Sequence, residues 1–178
     1  MSDAVGLNPV WKYMGLQTPD DPGTPPGLSK ILAAQIVPSA PGQLIPSGVP
    51  TQVLLGTVTY DMAGYGAIPN QLTIPPGKGG LYQVGFVVGL DTGGLGIGGM
   101  VYNALVMLNG GFPVVQVSRI VGSASSNIES HSVVATGPAA DGDNLQLWVG
   151  QLAAVPQPIP VSAGQFTGLY IMRLGDFP

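Results

Sequence analysis

Hydrophobic and polar positions alternate with a period of two along most of the chain from Ile31 onward. In the run Tyr82–Leu90, which includes Phe86, every second residue is hydrophobic, and the run Leu145–Gly150 alternates in the same way. Successive side chains of a strand point to opposite faces, so this period is typical of half-buried β-strands. No stretch long enough for a helix has hydrophobic residues at helical spacing without Gly or Pro among them. Similar strand-like runs cover residues 31–37, 52–60, 101–108, 113–121 and 128–135.

The last run of the chain, residues 166–174, is hydrophobic at both alternate sets of positions. We expect this strand to occupy a central position, from which Phe166, Tyr170 and Met172 fill the interior of the sandwich. We also expect this strand to lie close to the Tyr82–Leu90 strand.

Turn signals separate the predicted strands. Asn109-Gly110 is a strong hairpin signal, because both residues tolerate the positive φ that a tight turn requires. Asp141-Gly142-Asp143 and Pro75-Pro76-Gly77 also mark turns. Many short strands with regularly spaced turns predict an all-β antiparallel sandwich or barrel.

Residues 1–30 differ from the rest of the chain, since their prolines interrupt any regular element. We therefore divide the chain into an extended N-terminal arm, 1–30, and a head domain, 31–178. Large apolar side chains are concentrated in residues 11–16 of the arm, where Trp11, Tyr13, Met14 and Leu16 lie. They form either an anchor on a partner surface or a segment that folds back on the head, and the pattern does not separate the two.

Composition narrows the classes of partner. Charged residues make up 8% of the 178 residues, with 5 basic and 9 acidic side chains, against about 25% in typical soluble domains. So little charge indicates an obligate oligomer or part of a larger assembly. The few Lys and Arg residues are scattered, which argues against nucleic acid as a partner. No run is long enough for a membrane span, the start lacks the pattern of a secretory signal, and there is no cysteine.

No catalytic, metal or cofactor site is expected. His131 is the only histidine, so no His pair or triad can form, and we expect it to face solvent or an interface. Asp141 and Asp143 resemble part of a calcium loop but lack its further ligands, and a polar turn is the simpler interpretation. The glycine-rich run 93–99 lacks the Lys-Ser/Thr of a phosphate loop and is interpreted, like the serine-rich run 123–126, as a loop at one end of the sandwich.

Several blocks in residues 31–178 resemble the complement-type globular head, which is the jelly roll related to the tumour necrosis factor fold. The blocks are similar to that family's strand entries, Asn-Gly turn, Gly-Asp turn and closing aromatic strand. They are Ala33–Ile36 with Val53–Asp61, Leu72–Pro75 with Gly80–Tyr82, Leu105–Gly110, and Asp141–Leu147 with Gln165–Tyr170. The resemblance implies a jelly-roll head that packs as a homotrimer.

The bacteriophage virion branch is the better match, because collagen stem, cysteine and secretory signal are all missing. The expected function is therefore a non-enzymatic phage structural protein: a homotrimeric capsid decoration knob, assembled in the host cytoplasm, whose arm docks on the major capsid protein or another virion protein. The alternative is a tail-tip or fibre knob that binds a host-surface receptor or cell-wall sugar. A decoration knob predicts no sugar binding, whereas a receptor-binding knob should bind host cells in isolation.

Overall fold

The computed structural model describes residues 32–39, 42–91, 100–121, 128–152, 159–161 and 167–176. All of them belong to the second of the two units into which the chain divides, Leu32–Pro178. Several predicted features lie outside the described residues, and their predictions stay open: the arm anchors Trp11, Tyr13, Met14 and Leu16, the closing-strand residue Phe166, and the loops 93–99 and 123–126.

The described residues form twelve β-strands and no helix. Accordingly, no helix in this part of the chain is long and apolar enough to cross a membrane. In chain order the strands are β1 (Ala33–Val37), β2 (Leu44–Ile45), β3 (Thr51–Gln52), β4 (Thr57–Asp61), β5 (Leu72–Thr73), β6 (Gly80–Asp91), β7 (Met100–Leu108), β8 (Phe112–Val121), β9 (Ile128–Ala139), β10 (Asn144–Leu152), β11 (Ile159–Pro160) and β12 (Gly168–Gly175).

Two antiparallel sheets make up the sandwich. The first sheet has the strand order β4-β1-β12-β6-β9, and the second has the order β3-β10-β7-β8, with β5 also paired to β10. A small third ladder joins β11 to β2. Neighbouring strands are mostly distant in sequence, so the chain crosses repeatedly between the two sheets. The prediction of an all-β antiparallel jelly-roll sandwich is confirmed.

The core lies between the sheets and is built by alternation. On β6 the side chains of Tyr82, Phe86 and Leu90 are fully buried, and on β10 those of Leu147 and Val149 are fully buried. The facing predicted for both runs is therefore confirmed. Burial of this apolar surface is the main source of stability in a sandwich of this kind.

The facing predicted for the closing strand is wrong. Leu169 and Ile171 are fully buried, whereas Tyr170 and Met172 are only half-buried on the opposite face. The reason is the register with β6, in which Leu169 pairs with Phe86. Directly paired residues share a face, so the buried face of β6 selects the other set of β12 positions. The expected proximity of the two strands is confirmed, because β12 and β6 are hydrogen-bonded neighbours.

The predicted hairpin at Asn109-Gly110 is present between β7 and β8. Asn109 has φ 52° and Gly110 has φ 66°. The amide of Gly111 donates to the carbonyl of Leu108 at 3.1 Å. Positive φ at both central positions is the signature of a type I′ turn, whose twist matches that of the strands it joins.

Candidate interaction surfaces

Charge is confined to the ends of the sandwich. Beyond residue 31 the chain has nine charged residues, and each lies in a turn or within two residues of a strand end. The middle of every described strand is therefore uncharged. These nine residues are Asp61, Lys78, Asp91, Arg119, Glu129, Asp141, Asp143, Arg173 and Asp176.

One end, which we call the polar end, joins the β5–β6 turn to the β9–β10 turn. The Asp141 carboxylate accepts hydrogen bonds from the amides of Gly77 at 2.6 Å, Lys78 at 3.0 Å and Gly79 at 2.6 Å. The guanidinium of Arg173 donates to the carbonyls of Lys78 at 3.1 Å and Gly79 at 2.9 Å. The amides of Gly77 and Gly79 hold the pKa of Asp141 below its ordinary value. These charges therefore fix the backbone of a turn.

The interpretation of Asp141-Gly142-Asp143 as a polar turn fits these contacts. The carboxylate of Asp143 accepts from the Ala140 amide and from the Asn109 side-chain amide, both at 2.8 Å. Its acceptor positions are thus used to join two neighbouring turns. Within the described ranges, no cluster of three acidic, His or Cys side chains could hold a metal ion.

Asp61 organises the loop that follows β4 at the same end. Its carboxylate accepts from four consecutive amides, those of Ala63 at 3.1 Å, Gly64 at 2.7 Å, Tyr65 at 3.0 Å and Gly66 at 2.7 Å. Burial acts to raise the pKa of Asp61, but these donors outweigh it and leave the pKa below its ordinary value. The loop is therefore held by an anionic acceptor.

The outer face of the first sheet has a different character. One row of directly paired residues crosses all five strands: Tyr60 on β4, Gln35 on β1, Tyr170 on β12, Gly85 on β6 and Val134 on β9. We call this set the tyrosine row. It contains no charged residue, and Val134 at its edge is 48% exposed. Tyrosine combines apolar area with a hydroxyl and is enriched at protein interfaces.

Gly85 shapes this row by having no side chain. A Cβ built at Gly85 would lie 2.2 Å from Cζ and from the hydroxyl oxygen of Tyr170. The Tyr170 ring therefore lies across the sheet above Gly85. Burial raises the pKa of Tyr60 and of Tyr170, and each hydroxyl stays protonated at neutral pH.

A second uncharged surface lies at the edge of the sandwich where β8 of one sheet and β9 of the other are the outermost strands. We call it the edge patch. It comprises Phe112, Val114 and Pro138, and two of these, Val114 and Pro138, help to line a cavity of about 50 Å³. Phe112 is 74% exposed and Val114 is 39% exposed. The cavity is too small for a drug-sized ligand, which needs about 300 Å³ or more. The edge patch is thus a surface for contact and not a binding cleft.

His131 does not face solvent, and that expectation is wrong. It pairs with buried Val88, so its side chain turns into the head and is 8% exposed. Its ring lies against Tyr102, with ring centroids 4.9 Å apart and planes inclined at 36°. Ser130 and Ser132, which alternate with it, are the exposed residues.

The tyrosine row does not follow from the sequence pattern. That pattern predicts Tyr170 in the interior and indicates no role for Tyr60. The weak signal was the sequence of β6 itself, where Gly85 and Gly89 occupy the face opposite Phe86. Glycine in a strand often marks a close approach by another group, here the Tyr170 ring.

No family model matches the sequence, and no curated protein matches it either. Solved structures do share its fold. Murine APRIL superposes with a TM-score of 0.60 at 15% identity, covering 82% of this chain and 100% of that one. Eiger TNF from S. frugiperda gives 0.54 at 11% identity, covering 83% and 95%. The globular domain of zebrafish complement 1qA protein gives 0.52 at 13% identity, covering 82% and 99%.

At these identities the likeness is one of fold. The predicted resemblance to tumour necrosis factor-like and complement globular-head jelly rolls is confirmed at that level. The assignment to a bacteriophage branch stays a prediction.

Proposed function

We propose that this chain is a non-enzymatic structural protein of a virus particle, in which three heads pack into a homotrimer and the N-terminal arm attaches the trimer to a capsid or other virion protein. The observation that carries the self-association is the tyrosine row, an uncharged surface crossing the whole first sheet. Tyrosine is enriched at protein interfaces, and the row ends in an exposed apolar residue, Val134.

The head presents two different apolar surfaces, the tyrosine row and the edge patch. If the edge patch of one head packs on the tyrosine row of the next, the contact is heterologous, and it closes into a ring when the rotation between successive heads adds up to a full turn. The number three comes from the resemblance described above. The low charge of the chain supports the same arrangement, since an assembled surface needs less charge for solubility.

Two charge insertions test the self-association. Tyr170→Lys places a cation on the tyrosine row, and Val114→Lys places one on the edge patch. Either change should convert the assembly to monomers in light scattering, because a buried unpaired charge is strongly unfavourable. Ile68→Lys is the control, since Ile68 is an exposed loop residue outside both surfaces.

Mixing the two variants distinguishes a ring from a symmetric pair. The Tyr170→Lys head keeps an intact edge patch, and the Val114→Lys head keeps an intact tyrosine row. A heterologous contact predicts that the mixture forms one-to-one heterodimers although each variant alone is monomeric. A mixture that stays monomeric contradicts the row-to-edge contact, and a monomeric native protein contradicts self-association itself.

The attachment role is tested separately. Deleting residues 1–27 should leave the head assembled but unable to co-sediment with particles that lack this protein. Trp11→Ala should weaken attachment without changing the circular dichroism spectrum of the head. Full attachment by the armless head would assign the contact to the jelly roll and overturn the role of the arm.

The second candidate function is a tail-tip or fibre knob that contacts the host surface. A tryptophan on the outer face of the second sheet favours it, since neither the row nor the edge patch uses that face. Antibody labelling of intact particles separates the two locations on the virion.

A further inference from the structure

The outer face of the second sheet has an amide-rich surface centred on Trp148. Trp148 alternates with buried Leu147 and Val149, so it lies on the outward face of β10. Its directly paired neighbours are Gln52 on β3 and Leu105 on β7, and Leu105 pairs in turn with Gln116 on β8. The row from β3 to β8 is about 14 Å wide at ordinary strand spacing.

Amide side chains orient the indole along the strand. The indole Nε1 of Trp148 donates to Oε1 of Gln146 at 3.3 Å, and Nε2 of Gln146 donates to Oε1 of Gln71 at 3.4 Å. The Gln71 amide is held in turn by Thr73 at 2.9 Å. A chain of hydrogen bonds of this kind fixes where the polar edge of the indole points.

On the other side of the indole the next outward position is Gly150. A Cβ built there would meet only the Cα of Pro50, at 3.8 Å. Gly150 pairs with Asn103, and Asn103 pairs with Ser118. The surface beside the indole therefore has no side chain at Gly150. Beyond Gly150 lie the amide of Asn103 and the hydroxyl of Ser118. We call Trp148, Gly150, Asn103 and Ser118 the indole groove.

The chemistry of the groove selects a class of partner. None of its four residues is charged, which disfavours anionic and cationic ligands. Amide and hydroxyl groups offer donors and acceptors side by side, which suits a ligand whose groups both donate and accept. The indole adds a flat apolar surface with low entropy cost on binding. Neutral sugars combine these properties, with hydroxyls around a ring and an apolar C–H face.

We propose that the indole groove binds a neutral saccharide, with the sugar C–H face on the Trp148 ring and its hydroxyls on the Asn103 amide and the Ser118 hydroxyl. The proposal goes beyond the structural role and does not depend on it, because the groove lies on the other sheet from the tyrosine row. Binding would favour the host-contacting knob over capsid decoration.

The chain offers a direct optical test, since it has only 2 tryptophans, Trp11 and Trp148. In a Trp11→Phe protein all tryptophan emission comes from the groove. Chitohexaose, maltohexaose and dextran serve as neutral probes, and polygalacturonate and heparin as anionic ones. We expect at least one neutral probe to shift the emission of Trp148 and protect it from acrylamide quenching, with no response to the anionic probes.

Gly150→Gln is the blocking variant, because it fills the strip beside the indole while its Cβ meets no close neighbour. It should weaken binding by about tenfold or more, as loss of a central contact does. Ala140→Gln is the matched control, since it adds the same side chain at an exposed turn, and it should bind like the parent. Circular dichroism of all variants checks folding.

Three outcomes would overturn the proposal. The first is no response to any neutral probe up to about 10 mM, a range that detects millimolar binding. The second is binding that Gly150→Gln does not weaken. The third is emission of Trp148 that depends on protein concentration instead of sugar, which would assign the face to a second copy of the chain. The first two outcomes leave the light-scattering test of self-association unchanged. The third is separated from it because Tyr170→Lys and Val114→Lys do not alter this face, so the two proposals can fail separately.

Discussion

The polar end and the tyrosine row use polar atoms in opposite ways. At the polar end, the carboxylates of Asp61, Asp141 and Asp143 are turned onto backbone amides of the same molecule. Along the tyrosine row there is no charge, and the side chains of Tyr60, Gln35 and Tyr170 lie half-buried on an open sheet face. Charge at the polar end therefore holds loops of the same molecule, whereas the row presents an uncharged face, which we propose as a contact surface. The comparison predicts that changes at the polar end alter the stability of the head, whereas changes on the row alter its assembly.

Gly85→Ala should have the largest effect, and we expect it on assembly. The added methyl would occupy the position of the Tyr170 ring, which lies 2.2 Å from the built Cβ. The ring is the free end of a side chain, so it can swing away at little cost to the fold, but the row then loses its shape. We expect the assembly to dissociate to monomers in sedimentation velocity, with little change in melting temperature.

The control for this change is Gly175→Ala on the same strand as Tyr170. A Cβ at Gly175 meets nothing within 4 Å, so this variant should assemble normally. An assembled Gly85→Ala protein would show that the Tyr170 ring is not part of the contact.

Asp61→Ala should have the next largest effect, now on stability. It removes the acceptor of four backbone amides, and hydrogen bonds to charged groups contribute about 1.5–3 kcal/mol each when buried. Asp61 is partly exposed, so water replaces some of these bonds. We expect a net loss of about 2 kcal/mol in urea unfolding.

Asp176→Ala is the matched control. Its side chain is 94% exposed and pairs with Arg173, and surface pairs of this kind contribute about 0–1 kcal/mol. If Asp61→Ala also dissociated the assembly at concentrations where its head is folded, the separation between the two regions would be wrong.

Acid should weaken the polar end and spare the row. Amide donors lower the folded-state pKa of Asp141, and they outweigh burial in lowering that of Asp61. A depressed folded pKa stabilises the fold above the ordinary carboxyl pKa of about 3.9, and that contribution is lost as the pH falls toward the folded value. Melting temperature should therefore fall below about pH 5, and Asp61→Asn should flatten the profile. If Asp61→Asn left the dependence of melting temperature on pH unchanged, the Asp61 carboxylate would not contribute to the acid sensitivity.

The sequence pattern was sufficient to predict which face of β6 and of β10 is buried. On β6 and β10 one set of alternate positions is hydrophobic and the other contains Gly or Gln, so the facing of each strand follows from local sequence. On β12 both sets are hydrophobic, and the choice between Tyr170 and Ile171 is made by pairing with β6. Register is a property of the sheet, and a single strand does not encode it.

Long-range contacts explain the other differences. The turn at Asp141 was predicted from its own residues, but its bonds to Gly77 and Gly79 join positions more than 60 residues apart. The outward position of Trp148, by contrast, follows from alternation with Leu147 and Val149, so the sequence carried the signal of the indole groove. Features that depend on neighbours along one strand could therefore be predicted. Features that depend on pairing between strands, or on contacts between distant turns, could not.

The smallest expected effect is that of salt on assembly. Charged contacts are screened as ionic strength rises, with a Debye length that falls from about 10 Å at 0.1 M to about 3 Å at 1 M. The tyrosine row and the edge patch contain no charged residue, so sodium chloride over this range should change the dissociation constant by no more than about threefold. Sulfate should strengthen the assembly slightly, because excluded salts favour burial of apolar surface. Sedimentation at several salt concentrations measures both trends. If dissociation rose steeply with sodium chloride, charged residues at the ends of the sandwich would hold the copies together. Charge would then not be limited to holding loops within one head, and the contact surface would not be uncharged.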